Sequence, residues 1–234
     1  IKANEPRVIR MKIPDNRVIE INDMVRGKVL FNTNEIDDQV LLKSDGYPTY
    51  HLAVVVDDYL MKISHVLRSE EWLPSTPKHI LLYEFFGWEK PQWAHFPLLL
   101  NTDKTKISKR KGDVAVEDYI NNGYLPEAMI NFVALLGWNP GLSSEALAKG
   151  EKEKEIYSMK ELLEDFSLEK IHKAGAIFNT EKLDWFNGYY IRQMPLNDLT
   201  KRVIPFLIKD NLIGAGDDFE YIKKIIALER PRLK

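Results

Sequence analysis

Cysteine is absent from this 234-residue chain, which excludes disulfides, thiolate zinc centres and a cysteine nucleophile. Long apolar runs are absent too. Nothing approaches the roughly 20 residues of a membrane span, and the opening residues do not read as a signal peptide. Charge of one sign is not in excess: 33 Lys and Arg face 35 Asp and Glu, a net charge of −2. An anion site must therefore come from local clustering rather than from an overall basic field. The GxxxxGK[ST] spacing of a P-loop is missing. His51, His65, His79, His95 and His172 are scattered without paired ligand spacing, so no zinc is expected and each reads as a packing or surface residue. Asp57-Asp58 reads as a cap or salt-bridge pair before it reads as a metal site.

What is present is a chain with 44% hydrophobic residues, enough for one large domain or two smaller ones. The reading is of a soluble protein that fits a reducing, cytoplasmic setting. Ile1 in place of Met and a break-off at a basic end lead us to expect a piece of a longer protein.

The hydrophobic period changes along the chain. "RVIRMKIPDNRVIEINDMVRGKVLF" (7–31) alternates apolar and polar residues, as antiparallel strands do. "QVLLK", "ISHVL" and "HFPLLL" read as strands. "PTYHLAVVVDDYLMK" and "STPKHILLYEFFGW" read as the helices between them, the second ended by Gly87. Strands alternating with helices predict an α/β fold with a doubly wound parallel sheet. From 113 onward "VAVEDYINNG", "PEAMINFVALLGW", "MKELLEDF" and "TEKLDWFNGYYIRQM" carry apolar residues at helical spacing, with Gly123, Gly137 and Gly188 expected near their ends. "SSEALAKGEKEKE" reads as a charged surface segment, and the last forty residues as further helices.

In a parallel sheet, ligands bind beyond the carboxyl ends of the strands. Tyr50 and His51 fall there, as do Arg68 and a basic loop, "NTDKTKISKRKGD" (101–113), with Lys104, Lys106, Lys109, Arg110 and Lys111. Taken singly these are ordinary surface residues, and Tyr50 an ordinary packing residue. Taken together, an arginine fork suits a carboxylate and lysines suit phosphates whose charge shifts during reaction. Trp72 lies close to Arg68 in sequence, whereas Trp88 and Trp93 read as core or hinge residues.

"SDGYPTYHLAVVVDDYLMKISHVLRSEEWLPSTPKHILLYEFFGW" followed by "FPLLLNTDKTKISKRKGDVAVEDYINNGYLPEAMINFVALLGWNP" closely resembles the bacterial-type glutamyl-tRNA synthetases, which are class I aminoacyl-tRNA synthetases. "KISKR" is similar to the KMSKS signature of that class. The resemblance implies the second half of a class I Rossmann-like doubly wound sheet, then a helical stem-contact region and the start of a helical anticodon-binding region. The expected division is 1–37 (end of an acceptor-end-binding insertion), 38–112 (catalytic), 113–194 (stem contact) and 195–234 (anticodon region). It implies glutamate–tRNA ligase chemistry: ATP activates L-glutamate to glutamyl adenylate, and the glutamyl group passes to the 3′ end of tRNA-Glu. By the same likeness, Tyr50, Val54, Arg68, Glu71 and Trp72 bind glutamate. Leu99, Lys106, Ile107, Ser108, Lys109 and Arg110 bind ATP, and Lys106 and Lys109 are catalytic. Mg²⁺ is expected with the ATP, with no protein ligand named for it, and a monomer without membrane contact is expected.

Two departures from the family pattern stand out. Val54 occupies the position where the family carries Asn, and the HIGH tetrapeptide is nowhere in the chain, so this chain alone is not expected to aminoacylate. A tRNA-binding fragment without catalysis and a glutamyl-queuosine-type enzyme are the alternatives. A glutaminyl enzyme is disfavoured by the bacterial glutamyl-like stretch around "KISKRKGD".

Overall fold

The computed structural model describes residues 6–107, 115–141, 154–214 and 216–234. The chain divides into two compact units, Ile1–Leu98 with Ser167–Gly175, and Leu99–Phe166 with Ala176–Lys234.

In the first unit β1 (Ile9–Met11), β2 (Val18–Asp23), β3 (Gly27–Asn32), β4 (Gln39–Leu42), β5 (His65–Ser69) and β6 (Gln92–Phe96) accompany two helices, α1 (Tyr50–Leu60) and α2 (Thr76–Phe86). Alternation in β2 buries Ile19, Ile21 and Asp23 and exposes the residues between them, the period of a strand with one face on the core. Strands β2 and β3 form an antiparallel hairpin, as their alternation predicts. That hairpin is built into a four-stranded sheet of order β3-β2-β6-β5, in which β2–β6 and β6–β5 are parallel. Helix α2 connects β5 to β6. Its Ile80, Leu81 and Leu82 are almost wholly buried, each burial stabilising by about 1.5–3 kcal/mol. Gly87 ends α2 in the left-handed conformation, φ 67°, which costs a residue without Cβ nothing.

The structure corrects two strand expectations. "QVLLK" forms β4, but it pairs antiparallel with β1 in a separate two-stranded sheet, because a short apolar run specifies a strand and not its partner. The four-stranded sheet is accordingly mixed, an α/β arrangement without β4. "HFPLLL" is two strands, β6 and β7 (Leu99–Leu100), separated at Pro97, which has no N–H to give to a ladder.

Among the described residues the second unit pairs β7 in parallel with β8 (Ala176–Ile177), and its other regular elements are helices. Its helices are α3 (Val116–Asn121), α4 (Pro126–Gly137), α5 (Met159–Asp165), α6 (Thr180–Gln193), α7 (Leu196–Lys209) and α8 (Phe219–Glu229). Leu125, Phe132, Leu183, Phe186, Leu199, Ile222 and Ile226 make its core. Two buried asparagines tie loops to it. Asn131 Oδ1 accepts from Tyr157 N–H and the Tyr190 hydroxyl, both at 2.8 Å, and Asn187 Oδ1 accepts from Leu125 N–H at 2.8 Å. Most of "SSEALAKGEKEKE" lies outside the described residues.

Gly188 is not at a helix end. It lies buried inside α6, where a Cβ would sit 2.8 Å from the Arg192 side chain and 3.3 Å from the Leu233 carbonyl oxygen. The glycine is there for close approach, not for termination. Gly188→Val is expected to cost about 1–3 kcal/mol by overpacking, seen as a melting temperature lowered by roughly 3–10 °C. An unchanged melting curve by circular dichroism would show that this approach is not constrained.

Candidate functional site

Arg68 is the fourth residue of β5, and strand alternation places it on the same face as buried Val66. The strand continues into a 3-10 turn, Glu70–Ser75, whose N-cap Ser69 accepts from Glu71 N–H. That turn carries Trp72. Tyr50 is the first residue of α1. The Tyr50 and Trp72 ring centroids lie 4.9 Å apart. The Arg68 guanidinium carbon lies 5.5 Å from the first and 5.3 Å from the second, close enough for the ring faces to hold the cation. Arg68 is half-buried, yet no carboxylate of the described residues lies within ion-pair distance of it. A half-buried guanidinium held between two rings keeps its planar fork of N–H donors.

Of the other predicted pocket residues, exposed Glu71 lies on the same turn and receives the Ser69 hydroxyl hydrogen at 3.4 Å. Val54 lies one helical turn beyond Tyr50 and packs against the apolar core, as its side chain, which has no polar atom, dictates.

Beneath Arg68 lies a layer of neutral or poorly solvated groups. His51 Nδ1 and His79 Nε2 are 3.0 Å apart. Burial, and then the positive charge of Arg68, lower the His79 pKa to about 3. Burial and nearby cations lower that of His51 as well. Burial, followed by the charge of Asp58, pushes the Tyr83 phenol up to about 12. Burial and then Asp57 raise the Asp58 carboxyl, with Arg68 pulling the other way. His51, His79 and Tyr83 therefore bring no negative charge to Arg68, and Asp58 acts on it from beyond ion-pair distance.

Sequence reasoning missed a buried polar chain on this sheet. His95 stands directly opposite Arg68 in the β5–β6 ladder and is wholly buried. Its Nδ1 is 2.6 Å from Asp23 Oδ2, and its Nε2 is 3.2 Å from Thr76 Oγ1. Thr76 Oγ1 is in turn 3.3 Å from the Trp72 carbonyl oxygen. Burial pushes the Asp23 carboxyl up, but hydrogen bonds from the His95 side chain and from the Arg26, His95 and Val25 N–H groups outweigh it and hold it below the usual range. The alternation of "VIEIND", which turns Asp23 inward with Ile19 and Ile21, was the available signal.

In the second unit the start of the basic loop is a tight, self-bonded turn. Asn101 N–H donates to the Thr105 carbonyl at 2.7 Å, and Lys104 N–H to the Asn101 carbonyl at 2.9 Å. Asp103 Oδ1 accepts from Thr105 N–H at 2.9 Å and from its hydroxyl at 2.5 Å. Lys104 is left-handed, φ 64°. The chain returns along β7, with Lys106 bridged to Leu100 and Ile107 N–H donating to the Leu99 carbonyl at 3.2 Å. The turn therefore presents exposed Lys106 and delivers the chain to Ser108, Lys109 and Arg110, which lie outside the described residues. Among the described residues no group of three or more His, Cys, Asp or Glu could hold a metal, and no helix is long and apolar enough to cross a membrane.

A mixed α/β sheet with an arginine at a strand end, in a chain that also carries a lysine-rich turn after β7, places the protein among α/β proteins that carry basic side chains at strand ends. Comparison with known proteins makes the assignment specific. The model of the tRNA synthetases class I (E and Q), catalytic domain, matches residues 1–185, and the chain belongs to this family. It is 50% identical to a glutamate–tRNA ligase of Alkaliphilus metalliredigens, over 100% of this chain and 46% of that protein. It is 57% identical to one of Chloroherpeton thalassium over 89% of this chain and 40% of that protein. A crystal structure of a glutamate tRNA ligase from Elizabethkingia meningosepticum, in complex with its amino acid, superposes with a TM-score of 0.80 at 43% identity, covering 97% of this chain and 46% of that one. The chain thus spans about half the length of the relatives it matches.

Proposed function

We propose that this chain carries the glutamate pocket and the KMSKS-like loop of a glutamate–tRNA ligase. The observation that carries the reading is Arg68, half-buried between Tyr50 and Trp72 and without an ion-pair partner among the described residues. Its fork grips the side-chain carboxylate of L-glutamate, and an uncharged glutamine amide leaves the guanidinium unpaired and is rejected. The Tyr50 hydroxyl hydrogen-bonds the amino acid, Trp72 walls the pocket, and Glu71 and Val54 border it.

The first chemical step is attack of a glutamate α-carboxylate oxygen on the α-phosphorus of ATP, with the bond to the β-phosphate breaking and pyrophosphate leaving. Lys106 and Lys109 take up the charge that grows on the departing oxygen, with Ser108 and Arg110 on the same loop and Leu99 and Ile107 near the adenine. In the second step a hydroxyl of the terminal adenosine of tRNA-Glu attacks the glutamyl carbonyl and AMP leaves. Mg²⁺ accompanies the ATP and supplies further charge neutralisation on its phosphates. In this reading residues 38–112 belong to the second half of the class I sheet, 1–37 to the acceptor-end insertion, 113–194 to the stem-contact helices and 195–234 to the anticodon region. The protein works as a cytoplasmic monomer.

The test is glutamate- and tRNA-Glu-dependent ATP–pyrophosphate exchange by the native protein containing this chain. Lys109→Ala is expected to lower kcat by about 10²–10³-fold, the scale of losing one charge-stabilising donor, while KM for glutamate changes little. Exchange that persists at the native rate in Lys109→Ala and Lys106→Ala would remove the loop from the mechanism. No exchange by the native protein would remove the ligase reading.

A further inference from the structure

The buried chain behind Arg68 has no part in the chemistry just described, yet it ends on the pocket. We propose that Asp23, His95 and Thr76 are positioning residues that set the pose of Trp72 and Arg68, and through them the selectivity of the pocket for a carboxylate side chain. The inference rests on the reading of Arg68 as the carboxylate ligand.

Asp23 is buried and accepts four hydrogen bonds: Oδ1 from the N–H groups of Val25, Arg26 and His95, and Oδ2 from the His95 ring. An ionised carboxylate only accepts, so His95 Nδ1 carries a proton toward it. The other ring nitrogen faces Thr76 Oγ1. That hydroxyl has one proton and two acceptors within reach, His95 Nε2 at 3.2 Å and the Trp72 carbonyl at 3.3 Å. The Thr76 hydroxyl therefore ties the Trp72 carbonyl to the His95 ring.

A second line reinforces the first. Arg26 donates from Nε to the His95 carbonyl at 3.1 Å and pairs with Glu70 at 2.5 Å, and Glu70 opens the turn that carries Trp72. Both lines start at the β2–β3 hairpin and bracket Arg68, whose ladder partner is His95 itself. A purely apolar residue at 95 would pack the core at less cost than a buried ion-forming group. The polar chain fixes a direction that apolar packing leaves free.

Thr76→Val removes the hydroxyl at constant volume and Thr76→Ser restores it. We expect Thr76→Val to raise KM for glutamate about tenfold, the equivalent of a hydrogen bond that orients a charged group. The preference for glutamate over glutamine should fall by a similar factor, with kcat within twofold and both values recovered in Thr76→Ser. The Trp72 indole signal in a proton–nitrogen correlation spectrum, assigned with Trp72→Phe, should move in Thr76→Val and return in Thr76→Ser. An unchanged KM and selectivity with only a lowered melting temperature would overturn the proposal and leave the chain as core structure. If the wild-type protein performs no exchange, the reading of Arg68 fails by itself. The indole signal then decides: unmoved in Thr76→Val, it overturns the positioning role; moved and restored, it supports it.

Discussion

Arg68→Ala is expected to lower kcat/KM for glutamate by roughly 10²–10³-fold in the exchange assay, the cost of deleting one partner of a hydrogen-bonded charge pair, about 3–4 kcal/mol. The loss should fall mainly on KM, because the carboxylate is held alike before and during adenylate formation. Discrimination against glutamine should collapse with it. The native site excludes glutamine by leaving a guanidinium without its anion, and that penalty vanishes with the guanidinium. Arg68→Lys separates charge from shape. An ammonium keeps the sign but loses the bidentate fork and the stacking on Tyr50 and Trp72, so an intermediate loss of about ten- to a hundredfold is expected. If Arg68→Ala retained native kcat/KM and native glutamate preference, the pocket would have to lie elsewhere.

The same arginine shows how far the sequence was legible. Arg68, Tyr50 and Trp72 lie within one continuous stretch, each beside a strand or helix boundary that apolar periodicity marks, so local signals placed all three. Asp23 and His95 are 72 residues apart in sequence, and nothing local says that they meet. The alternation of "VIEIND" turns Asp23 inward without saying toward what, and His95 reads as one more scattered histidine. Only strand order brings them together, and order is what short strands leave unspecified. The pairing of β4 with β1 was hidden for the same reason. Gly188 misled in another way: a glycine within an amphipathic pattern can end a helix or admit a neighbour, and the neighbour here, Leu233, comes from far along the chain. The basic loop was legible as a loop after the last apolar run, while its turn rests on Asn101, Asp103 and Thr105, whose side chains bond within the loop.

The second large effect concerns pH. His79 is buried beside His51 and Arg68, with its pKa lowered to about 3, first by burial and then by the charge of Arg68. In the unfolded chain a histidine takes up a proton near pH 6.5. Below that value the unfolded state binds a proton that the folded state refuses, so stability falls as pH falls, and the loss is complete only near the folded value. At about pH 5 this single group should cost roughly 2 kcal/mol relative to neutral pH, a substantial share of a domain's margin, lowering the melting temperature by about 4–8 °C. His51, Lys78, Arg68 and His95 are the charged or titratable groups that act on it. The raised Asp58 carboxyl works in the opposite sense nearer pH 4, so the slope is best read between pH 6.5 and 5. His79→Gln keeps a donor for His51 and cannot titrate, and it should reduce that slope, leaving the part that comes from His51, whose pKa is also lowered by burial and nearby cations. Arg68→Ala should reduce it in part, since the second cause of the shift is removed. A glutamate carboxylate seated on Arg68 would do the same by neutralising the charge. Melting curves across this window, with and without saturating glutamate, thus connect the buried histidine to the pocket. A slope unchanged in His79→Gln would place the acid sensitivity in another group and leave His79 a neutral spacer.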